Sequence, residues 1–277
     1  AEQEGEAASE DAQPPEPVAL TELASPQVVA ILEQIELAGD AIESVQARVS
    51  YVQEQQLLGD QIIRLGTIDY MHGEIPQFRI AFDKAQINDE IRSNPIIYVF
   101  DGNWFAEIRR QAKQFRKWQL SPPGQQVNVL EIGRSPFVMP IGQKARRVLN
   151  LFHVTLIQDD PQTQSEETQG LIHLRLIPRV DAETQAKAVD YQVVDIWYDP
   201  EHWLPKKVVA LDDSQNRKTV RLLDISIDSL DLKDAPGLFD TTTPPKGEGW
   251  MVDVKPYRTP HTQHTQHTQQ PQKHRHT

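Results

Sequence analysis

The 277-residue chain contains no cysteine, which excludes disulfides and thiolate metal sites at once. Long apolar runs are missing too: no stretch approaches the roughly 20 consecutive apolar residues that a membrane-spanning helix needs. The glycine-rich dinucleotide fingerprint, the P-loop, His-Glu-x-x-His and the Gly-x-Ser-x-Gly elbow are all absent, and the chemistries that depend on those spacings go with them. Positive charge is scarce. Twenty-eight Lys and Arg stand against 40 Asp and Glu, a net charge of −12. Such a balance speaks against a broad nucleic-acid surface, which works by releasing counterions from phosphates.

What charge there is lies unevenly. Residues 1–22 hold seven carboxylates, no Lys or Arg, and the turn-rich "QPPEP"; residues 259–277 repeat His-Thr-Gln without one large apolar side chain. Neither end can bury enough surface to offset the cost of ordering it. Residues 1–24 are therefore expected to form a disordered acidic leader and 256–277 a disordered His/Gln/Thr-rich tail, leaving 25–255 as a single domain. An acidic, Pro-rich start at Ala1 reads as what cleavage of an export signal leaves behind. The tail imidazoles His261, His264, His267, His274 and His276 offer loose chelation without fixed geometry, so no metal site and no cofactor are expected.

Within the domain the hydrophobic period changes once. "SPQVVAILEQIELA" predicts a helix with Ser25 as N-cap and Pro26 in the first turn. Val28, Ile31, Leu32 and Ile35 share one face, and Gly39 is the expected stop. From Val45 onward the period is two: "VQARVSY", "QIIRLGTIDYM", "QFRIAFD", "IIYVF", "WFAEIRR" and "KQFRKWQL" read as strands, with a hairpin turn at Asp101-Gly102-Asn103. After an interruption at 133–151 ("GRSPFVMPIGQKARRVLNLF"), strands resume with "FHVTLIQ", "GLIHLRLIP", "YQVVDIWYD", "PKKVVALDD" and "KTVRLLDISID". The fold class is mainly β (α+β): an antiparallel meander of about ten or eleven strands. A sheet that wide must close, split or curl into a half-barrel whose concave face is covered.

Catalysis finds no constellation here. Asp159-Asp160 and Asp212-Asp213 fall in predicted turns, where Asp is favoured for backbone reasons. His72, His153 and His173 are scattered singly and read as surface or partly buried residues. Arg109, Arg110, Lys113, Arg116 and Lys117 mostly alternate with Ile108, Phe115 and Trp118, the pattern of strands with one wet face. "SPFVMP" stays open between two roles. Phe137, Val138 and Met139, held between prolines, either plug the mouth of a curled sheet on a helical lid or simply complete the core.

Four segments in order resemble the LolA-like outer-membrane lipoprotein carrier family over most of residues 26–254. They are "VVAILEQIELAGDAIESVQARVSY", "GTIDYMHGEIPQFRIAF", "IIYVFDGNWFAEIRRQAKQFRKWQL" and "DIWYDPEHWLPKKVVALDDSQNRKTVRLLDISID", with "LFDTTTPPKGEGWMV" standing for the family's closing aromatic–Pro-Pro-x-Gly element. The resemblance implies a curled antiparallel half-barrel with an N-terminal helix and a lid helix over its concave face. It implies an apolar cavity that carries the acyl chains of a lipoprotein or other lipid through the periplasm as a monomer, between inner- and outer-membrane donor and acceptor proteins, without catalysis. Phe78, Ile80 and Phe82 match the family's inward strand, and Phe137 and Met139, with Val138 between them, its Pro-marked lid. Tyr98, Phe100, Trp104 and Trp197 are the aromatics expected to face the cavity or the lid. Ile75 stands where the lipoprotein carriers often have a lid-latching Arg. The second reading is a lipid-sensing regulatory module that binds a partner, and the third a structural envelope protein tethered by its tails.

Overall fold

A computed structural model describes residues 19–87, 90–122, 132, 137–159, 164–181, 189–233 and 235–257. The acidic leader up to residue 18, Gly133, Pro136, the Asp160-Pro161 turn and the His-rich tail lie outside the described residues. Part of the expected leader does not: Leu20–Leu23 forms a helical turn, α1, and Leu20 and Leu23 pack against the core.

Helix α2 spans Pro26–Ala41, with the Ser25 hydroxyl accepting from the Val28 amide and Pro26 at the first turn. Val28, Val29, Leu32 and Ile35 are its buried face. Gly39 does not stop it. A Cβ at Gly39 would stand 2.2 Å from the Gly142 Cα, so this glycine lets the helix backbone touch the loop that crosses it.

Strands β1 (Ser44–Gln55), β2 (Asp60–Met71), β3 (Gln77–Ile87), β4 (Glu90–Phe100), β5 (Trp104–Arg109) and β6 (Gln114–Gln119) form one antiparallel meander. After helix α3 (Ala145–Leu151) a second meander follows: β7 (Phe152–Ile157), β8 (Ile172–Pro178), β9 (Val193–Tyr198), β10 (Pro205–Leu211) and β11 (Arg217–Ile227). The two meanders are not laid end to end. β11 returns to pair with β1, giving a single sheet ordered β12-β6-β5-β4-β3-β2-β1-β11-β10-β9-β8-β7. The twelfth strand, Met251–Lys255, runs parallel to β6 and exceeds the ten or eleven expected from the sequence. β7 and β12 are opposite edges, so the curled sheet stays unclosed.

Alternation sorts the two faces. Val45, Ala47, Val49 and Tyr51 of β1, Ile68 and Tyr70 of β2, and Val220 and Leu222 of β11 all enter one buried cluster with α2 and α3. This is the concave face. On the other face residues 235–250 cover part of the sheet: the Lys117 ammonium donates to the Thr241 carbonyl at 3.2 Å, the Thr241 hydroxyl donates to Asp101, and Phe239 and Thr241 are buried. No helix among the described residues is long and apolar enough to cross a membrane.

The contact of Gly39 with Gly142 makes a direct prediction. Gly39→Ala should lower stability by about 1–3 kcal/mol, the usual cost of overpacking, read as a lower urea midpoint with an unchanged slope. A variant as stable as the parent would show that α2 and the crossing loop are not in van der Waals contact.

Candidate functional site

The connection from β6 to β7 must travel from one end of the sheet to the other, and it does so across the concave face. Its described part, Phe137–Gln143 followed by α3, is irregular until Ala145. Phe137, Val138 and Met139 therefore lie on an extended loop and not on a helix, the second of the two placements left open by the sequence. Polar contacts pin this loop to α2. The Lys144 ammonium reaches Asp40 at 2.7 Å and Glu36 at 3.4 Å, and the Glu36 carboxylate accepts from the Ala145 amide at 2.8 Å, capping α3. Behind α3, the Arg179 guanidinium donates to the carbonyls of Leu149 and Leu23, tying α1 into the same cover. Ile75, at the family's latch position, takes no part: a Cβ on Gly102 would lie 1.9 Å from its Cγ2, so it packs on the β4–β5 turn.

Of the expected site residues, Phe78, Ile80, Phe82, Phe100, Phe137, Val138 and Met139 are buried in one cluster and Tyr98 packs against it. The Phe137 ring is the centre of an aromatic box. Tyr98 meets it edge-on at 4.8 Å, Tyr51 edge-on at 5.6 Å, and Phe82 lies at 6.0 Å, the geometries aromatic quadrupoles favour. The apolar cavity implied by the resemblance is occupied at this place by the lid's own side chains.

Trp104 and Trp197 are corrections. Each sits one residue from an inward side chain, Phe105 and Ile196 respectively, and so points to the convex face. There Lys117 stands over the Trp104 ring at 4.7 Å and Lys207 over the Trp197 ring at 5.3 Å. The basic run is divided as alternation requires, with Lys117 convex and Arg116 in register with concave-facing Glu107. A polar-rimmed groove of about 310 Å³ also crosses the convex face, between Val52, Ile63, Val209, Lys207 and Arg221.

Two polar features escaped the sequence reading. On the concave face Arg64 stands in register with Tyr51, and its buried Nη1 has no hydrogen-bond partner. Its place in the alternation of Ile62, Ile68 and Tyr70 was the available signal. On the convex face His173, 5% exposed, is held between two carboxylates: Nδ1 lies 2.9 Å from Asp159 and Nε2 2.9 Å from Asp195. Trp197 stacks on the imidazole at 4.2 Å, and Arg175 donates to Asp195 at 2.8 Å. Asp159 thus serves a side-chain network, whereas Asp212 does act on its own turn, accepting from the amides of Ser214 and Asn216.

Burial presses the His173 pKa down, but the hydrogen bonds to Asp195 and Asp159 outweigh it and hold the imidazole above its ordinary range. Asp195 is the mirror case: burial raises it, and His173 and Arg175 together hold it below the usual carboxylate range. Stability from His173 is complete below its ordinary value of 6.5 and is lost as pH rises through the raised one. Stability from Asp195 is complete above 3.8 and is lost as pH falls through the lowered value.

No family model matches the chain, and no curated protein matches its sequence. Solved structures do. A domain described as an outer-membrane lipoprotein-sorting protein, from Vibrio parahaemolyticus, is 12% identical over 74% of this chain and 94% of its own, with a TM-score of 0.37. A LolA-superfamily protein from Nitrosomonas europaea is 14% identical over 73% and 96%, with a TM-score of 0.33. Pseudomonas aeruginosa MucB, solved with MucA, is 10% identical over 79% of this chain and 61% of that one, with a TM-score of 0.40. At such identities and scores these structures add no weight on function, which rests on the chain's own residues.

For the histidine network, His173→Gln should cost about 1.5–3 kcal/mol at pH 6, the range for hydrogen bonds to charged groups. It should also abolish the decline in stability above pH 6.5. Urea midpoints measured from pH 5 to 9 decide it; a variant that retains the parent's decline would show that His173 does not carry it.

Proposed function

We propose that the protein is a non-catalytic carrier of the cell envelope, working in the periplasm, that shelters acyl chains of a lipoprotein or another lipid between its curled sheet and the loop at Phe137. One observation carries this reading. The aromatic face of an unclosed sheet is covered by side chains of a crossing loop, Phe137, Val138 and Met139, and not by a second sheet. A loop pinned to α2 by exposed ion pairs can lift without unfolding a strand, because such pairs are individually weak. Lifting it uncovers Phe78, Phe82, Phe100 and Tyr98, a surface onto which an acyl chain gains about 0.8 kcal/mol per buried methylene. No polar chemistry on the substrate is needed, which suits a chain without a catalytic constellation. Donor and acceptor membrane proteins would load and unload it.

A second reading follows from the two sheet edges, β7 and β12. An unpaired edge can accept a strand from another protein, which would make the chain a lipid-sensing module that signals through a partner. Transfer of bound lipid to an acceptor membrane separates the two, since only the carrier requires it.

The carrier reading is tested by native mass spectrometry of protein purified from its own envelope and by titration with a fluorescent fatty acid. Bound lipid and saturable uptake are expected; bare protein without uptake would refute it. Phe137→Ala sharpens the test. It should cost about 3–5 kcal/mol of ligand-free stability, as large-to-small core changes do, and yet bind the fatty acid more tightly, since the place of the ring is vacated. Loss of stability with weaker uptake would mean that Phe137 is core alone.

A further inference from the structure

Arg64 is half-buried on the concave side of β2. Among the described residues its Nη1 is the only buried side-chain nitrogen or oxygen left without a hydrogen-bond partner. Leaving a charged donor out of water and unpaired costs more than leaving a neutral one, and such a group in a native fold calls for an explanation. Its surroundings indicate one. Register places it beside Tyr51 on one flank and Ala85, a small side chain, on the other. Beyond Ala85 on β4 the register position is Arg92, which is paired with Glu90. Tyr98 stands further along that strand, opposite Ile80, and the Arg64 charge acts on the Tyr51 and Tyr98 phenols. Both rings edge onto Phe137, so the guanidinium lies where the apolar floor gives way to the rim. A second cation, Lys218, faces the same side over the Tyr191 ring at 5.5 Å. The nearby acid Glu107 is already engaged, by Arg109 at 2.7 Å.

We infer that Arg64, beside Tyr51 at the edge of the aromatic box around Phe137, receives the acidic head group of a single-chain amphipath whose tail takes the place of Phe137. A planar guanidinium matches a carboxylate or a phosphate monoester through paired N–H donors, and the two phenols can donate to the same oxygens. The cargo is thereby narrowed from any acyl chain to one with an anionic head. The inference rests on the carrier reading, and the experiment keeps the two apart.

Delipidated full-length protein is titrated with palmitate, with hexadecanol, and with acetate or inorganic phosphate alone. Palmitate should bind at least tenfold more tightly than hexadecanol, and the small anions should not compete at millimolar concentration. Arg64→Met should bring palmitate down to the hexadecanol level while leaving hexadecanol unchanged. It should also raise the melting temperature of the ligand-free protein, by about 2–4 °C, because a donor buried without a partner has been removed. Arg64→Lys keeps a charge without the planar fork and should retain part of the preference; it serves if Arg64→Met does not fold. Equal binding of palmitate and hexadecanol by the parent overturns the Arg64 assignment and leaves the carrier reading intact. Binding of neither overturns both. Small anions binding as tightly as palmitate would mean an anion site unrelated to lipid, and a lowered melting temperature in Arg64→Met would mean a structural arginine.

Discussion

The register of β1 against its two neighbours governs everything else in this molecule. β1 joins two meanders that come from opposite ends of the chain, pairing Tyr51 with Arg64 on one side and with Val220 on the other. A slip of one residue at either seam would turn one meander's apolar side chains to water while the other kept its own buried. With both seams in place, Val45, Val49, Ile68, Phe78, Val220 and Leu222 present one continuous surface. That surface cannot remain wet, and an unclosed sheet cannot cover itself. Because β6 and β7 lie far apart in the sheet, the chain between them has to cross the face that needs covering. Topology therefore supplies the lid, and the Gly39–Gly142 contact allows it to lie flat against α2.

Charge inside this frame is handled in two opposite ways. His173 is enclosed by two carboxylates, with Arg175 behind one of them and Trp197 stacked on the ring. Every ring nitrogen is engaged, which is how a buried charge is made tolerable. Arg64 on the concave side has no such enclosure at Nη1. Convex and concave faces differ in this respect although both are built from the same strands. The completed network ties β8 and β9 to the segment that follows β7, whereas the incomplete one stands beside Tyr51, whose ring edges onto the loop at Phe137.

Much of this was legible before any coordinates. Period-two alternation named eleven strands, Ser25 and Pro26 set the start of α2, and Asp101-Gly102-Asn103 made its hairpin, with Gly102 at φ 104°. What failed did so for identifiable reasons. β12 is a short edge strand, with Met251, Val252 and Val254 all exposed, so it has no buried face to produce a pattern. Gly39 looked like a helix stop because a close backbone approach leaves no trace in a single chain. The partnership of β1 with β11 is a contact across most of the chain, invisible to local periodicity. Trp104 and Trp197 share the aromatic character of the site residues, but neighbours in a strand face opposite ways. Once Phe105 and Ile196 are inside, the tryptophans are outside. Among the ten candidate residues the five strand residues brought together, Phe78, Ile80, Phe82, Tyr98 and Phe100, are those on the inward phase, and phase needs an anchor that composition does not provide.

That the concave face is filled at Phe137 by the chain's own side chains bears on how a carrier would work. An open greasy cavity in water would be unstable and prone to self-association, so an empty carrier needs a substitute for its cargo. Phe137 is suited to that part: it is buried against Tyr51, Phe82 and Tyr98, yet belongs to a loop and not to a strand. Displacing it forfeits the burial of one large side chain, about 1.5–3 kcal/mol, together with weak ion pairs at Lys144. A tail of about a dozen methylenes returns roughly 10 kcal/mol at about 0.8 kcal/mol each. The balance favours exchange by a margin large enough to tolerate some exposure of the displaced ring. On the carrier reading, the ion pairs of Lys144 with Glu36 and Asp40 are weak enough to permit that exchange.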